Sequence, residues 1–207
     1  MASLPSALAS VPWNHNSHYY DFILSRLPAS RGKALDVGCG KGDFAVMLGF
    51  HFEEVDAIDL DQRAIQSARE HYAGHDNVRF HLDSFLKYQC CDSQYDFISM
   101  ISSLHHMDLE MAIAKATQLL RTGGAIFILG CYRESGLIDF ICGSVAIPAN
   151  MIYCLFRGSE EKDAIEMVTV PATCTISQIG KEMHRLLPGH VFRRHLFWRY
   201  SVEWRKT

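Results

Sequence analysis

The sequence predicts an α/β fold, a doubly wound and mostly parallel sheet with helices on both faces in three layers. Three observations carry that expectation. Short apolar runs alternate with amphipathic helical stretches between residues 34 and 129. The first run ends in the glycine turn Gly38-Cys39-Gly40-Lys41-Gly42, which leads straight into a helical stretch. The fifth run, Ala125-Ile126-Phe127-Ile128-Leu129, is short and almost wholly apolar, as a central parallel strand buried on both faces should be.

The elements follow in order. Residues before Ser17 show no period and read as an arm, which with the first helix occupies 1–30. Tyr20, Ile23, Leu24 and Leu27 fall at helical spacing, with Asn16 or Ser17 placed to cap the helix and Pro28 to end it. The aromatic cluster there, including Tyr19 and Tyr20, can cover a substrate or simply pack the helix. Ala34 to Val37 is the first strand and Phe44 to Leu48 its helix. Val55 to Asp59 is the second strand, and Gln62 to His71 the helix after it. Asp59 either meets a ribose diol, since it lies 17 residues past Gly42, or caps that helix, a task Asp61 fills equally well.

Val78, Phe80 and Leu82 alternate with Arg79 and His81 in a third, half-buried strand, which ends at Asp83-Ser84. Tyr95 to Ile101 is the fourth. Leu109 to Leu120 is a helix with Asp108 at its start and Gly123-Gly124 past its end. Beyond the fifth strand, 136–172 is expected to be a helical insertion that walls the substrate site. Its apolar stretch is interrupted by Asp139, Pro148 and Asn150, which argues against a membrane span and leaves surface contact as the alternative. Thr175-Ile176-Ser177-Gln178 has the form of a capping box, and Pro188-Gly189 ends the helix it begins. Val191 to His195 and Arg199 to Arg205 read as two antiparallel strands that complete the sheet.

The charge around the glycine turn narrows the ligand. Asp36 precedes it and Asp43 follows, in a G-x-G-x-G spacing rather than the G-x-G-x-x-G of dinucleotide sites. Two carboxylates would repel a pyrophosphate in a partly dry cleft. They suit a nucleoside whose other end is positive, such as S-adenosylmethionine with its ammonium and sulfonium. Asp83 stands where a carboxylate can accept from an adenine amino group.

Composition sets the outer bounds. The 207 residues are 48% hydrophobic and 21% charged, as expected of one soluble globular domain spanning 1–207. A net charge of −3 gives no case for nucleic-acid binding. Seven cysteines without a C-x-x-C pair read as reduced, mostly buried thiols, and no basic segment opens the chain, so a cytoplasmic location is expected. No metal site is expected, because adjacent His105 and His106 diverge and lack partners at ligand spacing.

The run Ala34 to Gly42, together with Ala57-Ile58-Asp59-Leu60 and Leu104-His105-His106, resembles the class I S-adenosylmethionine-dependent methyltransferases over roughly residues 14 to 130. The ending, from Pro188 to Trp204, is similar to a small bacterial-type branch of that family. The resemblance implies the Rossmann-like methyltransferase fold, with a seven-stranded sheet carrying one antiparallel strand near its edge. It implies that Asp36, Gly38, Cys39, Gly40 and Gly42 cradle the methionine moiety and that Asp59 holds the ribose. Leu60 would flank the adenine, Asp83 and Ser84 would face its amino group, and Met100 and Ile101 would border the methyl-transfer site. S-adenosylhomocysteine would be the product.

Methyl transfer from a sulfonium is an in-line displacement, so alignment is the main task. A carboxylate acceptor needs no base, whereas a hydroxyl benefits from one, and His105 or His106 is placed to serve as base or to orient the acceptor. Arg193, Arg194 and Arg199 form the dense basic patch. They can grip an acidic acceptor, or charge a solvated edge strand, and alternation puts Arg193 and Arg194 on opposite faces. No Asn/Asp-Pro-Pro-Tyr/Phe follows the fourth strand, where base amino-methyltransferases carry it. The expected reaction is methylation of a small-molecule or peptide acceptor, at oxygen. N- or C-methylation of an apolar metabolite and a non-catalytic binding module are the alternatives.

Overall fold

The computed structural model describes residues 14–89, 94–133, 174–196 and 198–207. The expected insertion at 136–172 and the first 13 residues lie outside the described residues.

Seven strands form one sheet: β1 (Lys33–Val37), β2 (Glu54–Asp59), β3 (Val78–Leu82), β4 (Tyr95–Ile101), β5 (Leu120–Cys131), β6 (Val191–Arg194) and β7 (Arg199–Arg205). Their order is β3-β2-β1-β4-β5-β7-β6. The first five run parallel, and β7 enters antiparallel between β5 and β6. The doubly wound, mostly parallel seven-stranded reading therefore holds. The strand order reverses between β1 and β4, which is where such sheets open a ligand crevice at their carboxyl ends.

The side-chain period of two divides the interior into two apolar layers. Ala34 of β1, Phe97 of β4 and Phe127 of β5 face α1 (Tyr20–Leu24), α2 (Asp43–Gly49) and α3 (Gln62–His71). Leu35, Ile98 and Ile126, each one residue along, face α4 (Leu109–Leu119) and α5 (Ile176–Leu186). Leu35, Ile98 and Met100 are fully buried. Burial of each contributes about 1.5–3 kcal/mol.

Local chemistry explains most boundaries. The Asp61 carboxylate accepts from the Arg63 and Ala64 N–H groups and caps α3, which removes the capping alternative for Asp59. Thr175 and Gln178 form the expected capping box on α5. The first helix departs from expectation. Asn14, not Asn16 or Ser17, satisfies its opening: Asn14 Oδ1 accepts from the N–H groups of Asn16 and Ser17 at 2.8 and 2.9 Å. The segment begins as a short 3₁₀ turn over Ser17–Tyr19, and α1 ends at Leu24. Strand β5 also starts earlier than the apolar run, at Leu120, because the chain pairs Tyr95 with Leu120 before a register shift brings Phe97 to Ala125.

Candidate active site

The glycine turn sits at the carboxyl end of β1 and is pinned to β2. Gly38 and Cys39 N–H groups both donate to the Ile58 carbonyl, at 2.8 and 3.1 Å. Gly38 has φ +74°, and a Cβ there would lie 2.2 Å from Ser103 Cβ. Gly42 has φ +86°, and its Cβ would meet the Phe80 ring at 2.5 Å. Only glycine fits either position.

Three carboxylates surround the turn. Asp36 is buried and accepts a 2.7 Å bond from Ser99 Oγ. Burial raises its pKa to about 7, against the lowering effect of Ser99, and the nearby charge of Asp59 adds to the rise. Asp59 spans the crevice: Oδ2 accepts from Gly40 N–H and Oδ1 from Asp61 N–H, each at 2.8 Å. Asp43, at the start of α2, accepts from Tyr72 Oη at 2.5 Å. Burial, then Asp43 and Asp36, push the Tyr20 phenol up, and the Tyr20 ring packs 4.9 Å from Phe44. Tyr20 is thereby set on Phe44 of α2, with the charges of Asp43 and Asp36 near its phenol.

Leu60, next to Asp59, is 71% exposed, an apolar side chain standing in solvent where a flat ring can cover it. Asp83 Oδ1 accepts from Ser84 N–H at 2.7 Å, and Asp83 N–H donates to Asp59 O, so this turn borders the same crevice. Met100 and Ile101 are buried at the end of β4. Cys39 is half-buried within the turn, where burial and the charges of Asp36 and Asp59 hold its thiol up. Cys131 is likewise half-buried, whereas Cys174 is exposed; the other four cysteines lie outside the described residues.

The residues expected to face the acceptor do not stay together. Tyr19 is in the core, 6% exposed, and its hydroxyl donates to Leu196 O at 2.9 Å. Arg193 pairs with Glu203, which also pairs with Arg26 at 2.9 Å. Arg194, on the other face, donates to Tyr132 Oη at 3.0 Å and lies over its ring. Arg199 alone of the three stands at the crevice, where its Nε donates to Asn16 Oδ1 at 3.2 Å. The adjacent histidines also differ. His106 is exposed, whereas His105 is half-buried with an enclosed Nδ1 that lacks a hydrogen-bond partner among the described residues. Burial lowers the His105 pKa to about 4, helped by the charges of His106 and Arg199.

Three contributors were not singled out from sequence. Ser99 is a polar residue within an apolar strand, a signal that was present. Asn16 reads as a helix cap and Ser102 as a loop serine, so neither carries a local mark of its role. Among the described residues, no cluster of three His, Cys, Asp or Glu side chains is arranged to hold a metal ion.

A doubly wound sheet, a glycine turn docked on the next strand and acids on every side of it define a nucleoside-binding α/β protein. The crevice fits a cationic nucleoside: Asp36, buried with one hydrogen bond among the described residues, gains most from an ammonium, while a phosphate would face Asp36, Asp43 and Asp59 together. The family described as methyltransferase domain matches residues 34–124, the span from the first strand into β5. An uncharacterized methyltransferase of Mycobacterium tuberculosis is 27% identical over 94% of this chain and 97% of its own length. A ubiquinone biosynthesis O-methyltransferase of Thiobacillus denitrificans is 29% identical over 63% of this chain and 62% of its own. Among solved structures, PH0226 protein from Pyrococcus horikoshii superposes with a TM-score of 0.67 at 17% identity, covering 99% of this chain and 96% of that one. The domain match over residues 34–124 and the relatives' names support an S-adenosylmethionine-dependent methyltransferase, with S-adenosylmethionine as the cofactor. Among the described residues no helix is long and apolar enough to cross a membrane.

Proposed function

We propose that this methyltransferase modifies an oxygen of a small-molecule acceptor. One observation carries the reading: Ser102, His105 and Arg199 bring hydrogen-bonding groups to the carboxyl end of β4, beside the glycine turn. Ser102 Oγ and Arg199 Nε both donate at that point, and neutral His105 lies next to Arg199. Such groups orient an oxygen nucleophile. The O-methyltransferase names among the relatives support the same choice.

When bound, S-adenosylmethionine supplies an electrophilic methyl group on a sulfonium. Asp36 would hold the ammonium, Asp59 the ribose hydroxyls, Leu60 and Asp83 with Ser84 the adenine, and the backbone of Met100 and Ile101 would border the reacting carbon. Ser102 and Arg199 would hold the acceptor oxygen in line with that methyl group, so that a C–O bond would form as the C–S bond breaks with its electron pair returning to sulfur. With a hydroxyl acceptor, the proton passes to His105 or water. A carboxylate releases none.

The test is incubation of the purified chain with isotopically labelled methyl donor and a cell extract, followed by mass spectrometry of the labelled products. Fragmentation showing the label on oxygen supports the reading. Label found solely on nitrogen or carbon overturns it.

A further inference from the structure

We infer that Ser102 Oγ and Arg199 Nε form a subsite for the carboxylate of the acceptor, and that the side-chain carbonyl of Asn16 holds this subsite closed in the acceptor's place. The inference rests on the oxygen-methylation reading and names its substrate class.

The Asn16 carbonyl oxygen accepts from both donors, at 2.7 Å from Ser102 Oγ and 3.2 Å from Arg199 Nε. Those two donors lie 86 and 183 residues away in sequence. Asn16 occupies the N-cap position of its 3₁₀ turn but makes no capping bond, because Asn14 does that work. Its side chain is therefore committed to the crevice rather than to its own helix. One neutral acceptor between a hydroxyl and a guanidinium is the arrangement a carboxylate oxygen would take, with stronger, charge-assisted bonds.

Backbone strain marks the same place. Ser102 at φ +52° and Trp198 at φ +55° are the two non-glycine residues with positive φ among the described residues. One carries the first donor and the other immediately precedes the second. Residues held in the left-handed region cost about 1–3 kcal/mol each and gather at ligand clamps. Ser102 N–H is fixed on Leu129 O at 2.7 Å, and Ser103 packs against Gly38, so the clamp borders the crevice that takes the methyl donor. The enclosed Nδ1 of His105, without a hydrogen-bond partner among the described residues, belongs to a ring close enough to Arg199 to feel its charge.

Methylation of a carboxylate held here forms the O–CH₃ bond as the C–S bond breaks, and moves no proton. The ester is neutral, so the charge that held the acceptor on Arg199 is gone from the product. Asn16 can then reclaim both donors.

Binding to the full chain saturated with S-adenosylhomocysteine tests this, using benzoate and hexanoate as probes with benzamide and hexanamide as uncharged controls, by calorimetry. The carboxylates are expected to bind and the amides not. Asn16→Ala, which removes the internal competitor, should tighten carboxylate binding about three- to tenfold, the scale of one net hydrogen bond. Arg199→Met and Ser102→Ala should each weaken it about tenfold or more with S-adenosylhomocysteine affinity unchanged. Equal binding of amides, or carboxylate affinity unmoved by Asn16→Ala and by both donor variants, overturns the subsite. An extract product methylated on a hydroxyl and lacking any carboxylate overturns the subsite while leaving oxygen methylation standing. A product methylated on nitrogen or carbon alone removes the underlying reading instead.

Discussion

Ser99 and Asp36 are register partners on neighbouring parallel strands, and Ser99 Oγ donates to Asp36 Oδ1 at 2.7 Å inside the sheet. That one bond is a partial counterweight to burial, which raises Asp36 to a pKa of about 7, with Asp59 adding to the rise. Below about pH 4 the group is protonated in both folded and unfolded chains and favours neither. Between pH 4 and about 7 the unfolded chain ionises first, so the ligand-free fold loses stability as pH rises through that window. Asp36→Asn should leave stability at pH 4 unchanged and raise it at pH 8 by up to about 4 kcal/mol. Urea unfolding of both proteins across that range checks it; a constant difference at all pH values contradicts the ionisation account.

Asp59 joins the glycine turn to the start of α3 and is aimed at the crevice between them. Asp59→Ala strips an acceptor from Gly40 N–H and from Asp61 N–H as well as from the ligand. Affinity for S-adenosylmethionine should fall by about 1–3 kcal/mol, measured by calorimetry. An unchanged dissociation constant would remove Asp59 from the ribose role.

The two histidines should separate. His105, held near pKa 4 by burial, His106 and Arg199, stays neutral from pH 5.5 upward, so turnover should show no limb near pH 6.5 that vanishes in His105→Ala. That variant should lose about tenfold in kcat/KM, as for one lost hydrogen bond to the acceptor. His106→Ala, altering an exposed ring, should change kcat/KM less than about twofold. Steady-state kinetics over pH 5.5–9 decide between them, and equal losses in both variants would defeat the distinction.

Two glycines make opposite forecasts. Gly38→Ala drives a Cβ to 2.2 Å from Ser103 Cβ at a positive φ and should cost more than about 2 kcal/mol. Gly180→Ala, inside α5 with open space around its Cβ, should stabilise the fold by about 0.5–1 kcal/mol. Thermal unfolding of the pair measures both, and a neutral Gly38→Ala would mean the turn can relax away from Ser103.

Much of this architecture was legible because it rests on local signals. Alternation, glycines and caps set β1 to β5, the α3 and α5 starts and the β6–β7 pair, and the spacing of Asp59 from the turn anticipated a pairing that the Gly40 N–H bond to Asp59 makes. What was not legible depends on contacts between distant residues. Tyr19 and Tyr20 are adjacent and look alike, yet one reaches Leu196 with its hydroxyl and the other packs its ring on Phe44. Arg193, Arg194 and Arg199 read as one basic patch, but the pleat sends the first to Glu203 and the second to Tyr132. Asn16 carried a capping signal that Asn14 satisfied, and its partnership with Ser102 and Arg199 exists only after the sheet is assembled.

The antiparallel insertion of β7 has a bearing on how the enzyme matures. Six strands precede β7 in sequence, yet it lies between β5 and β6, matching seven consecutive residues of β5 from Ala125 to Cys131. Until the β6–β7 hairpin docks, β5 presents a raw apolar margin, a point of vulnerability to sticking during folding. Arg199 arrives with that same docking step, paired to Cys131. A chain assembled only through β5 would hold Asp36, Asp43 and Asp59 in place while lacking Arg199, so under the proposed roles competence to recognise the methyl's destination comes after competence to hold its source.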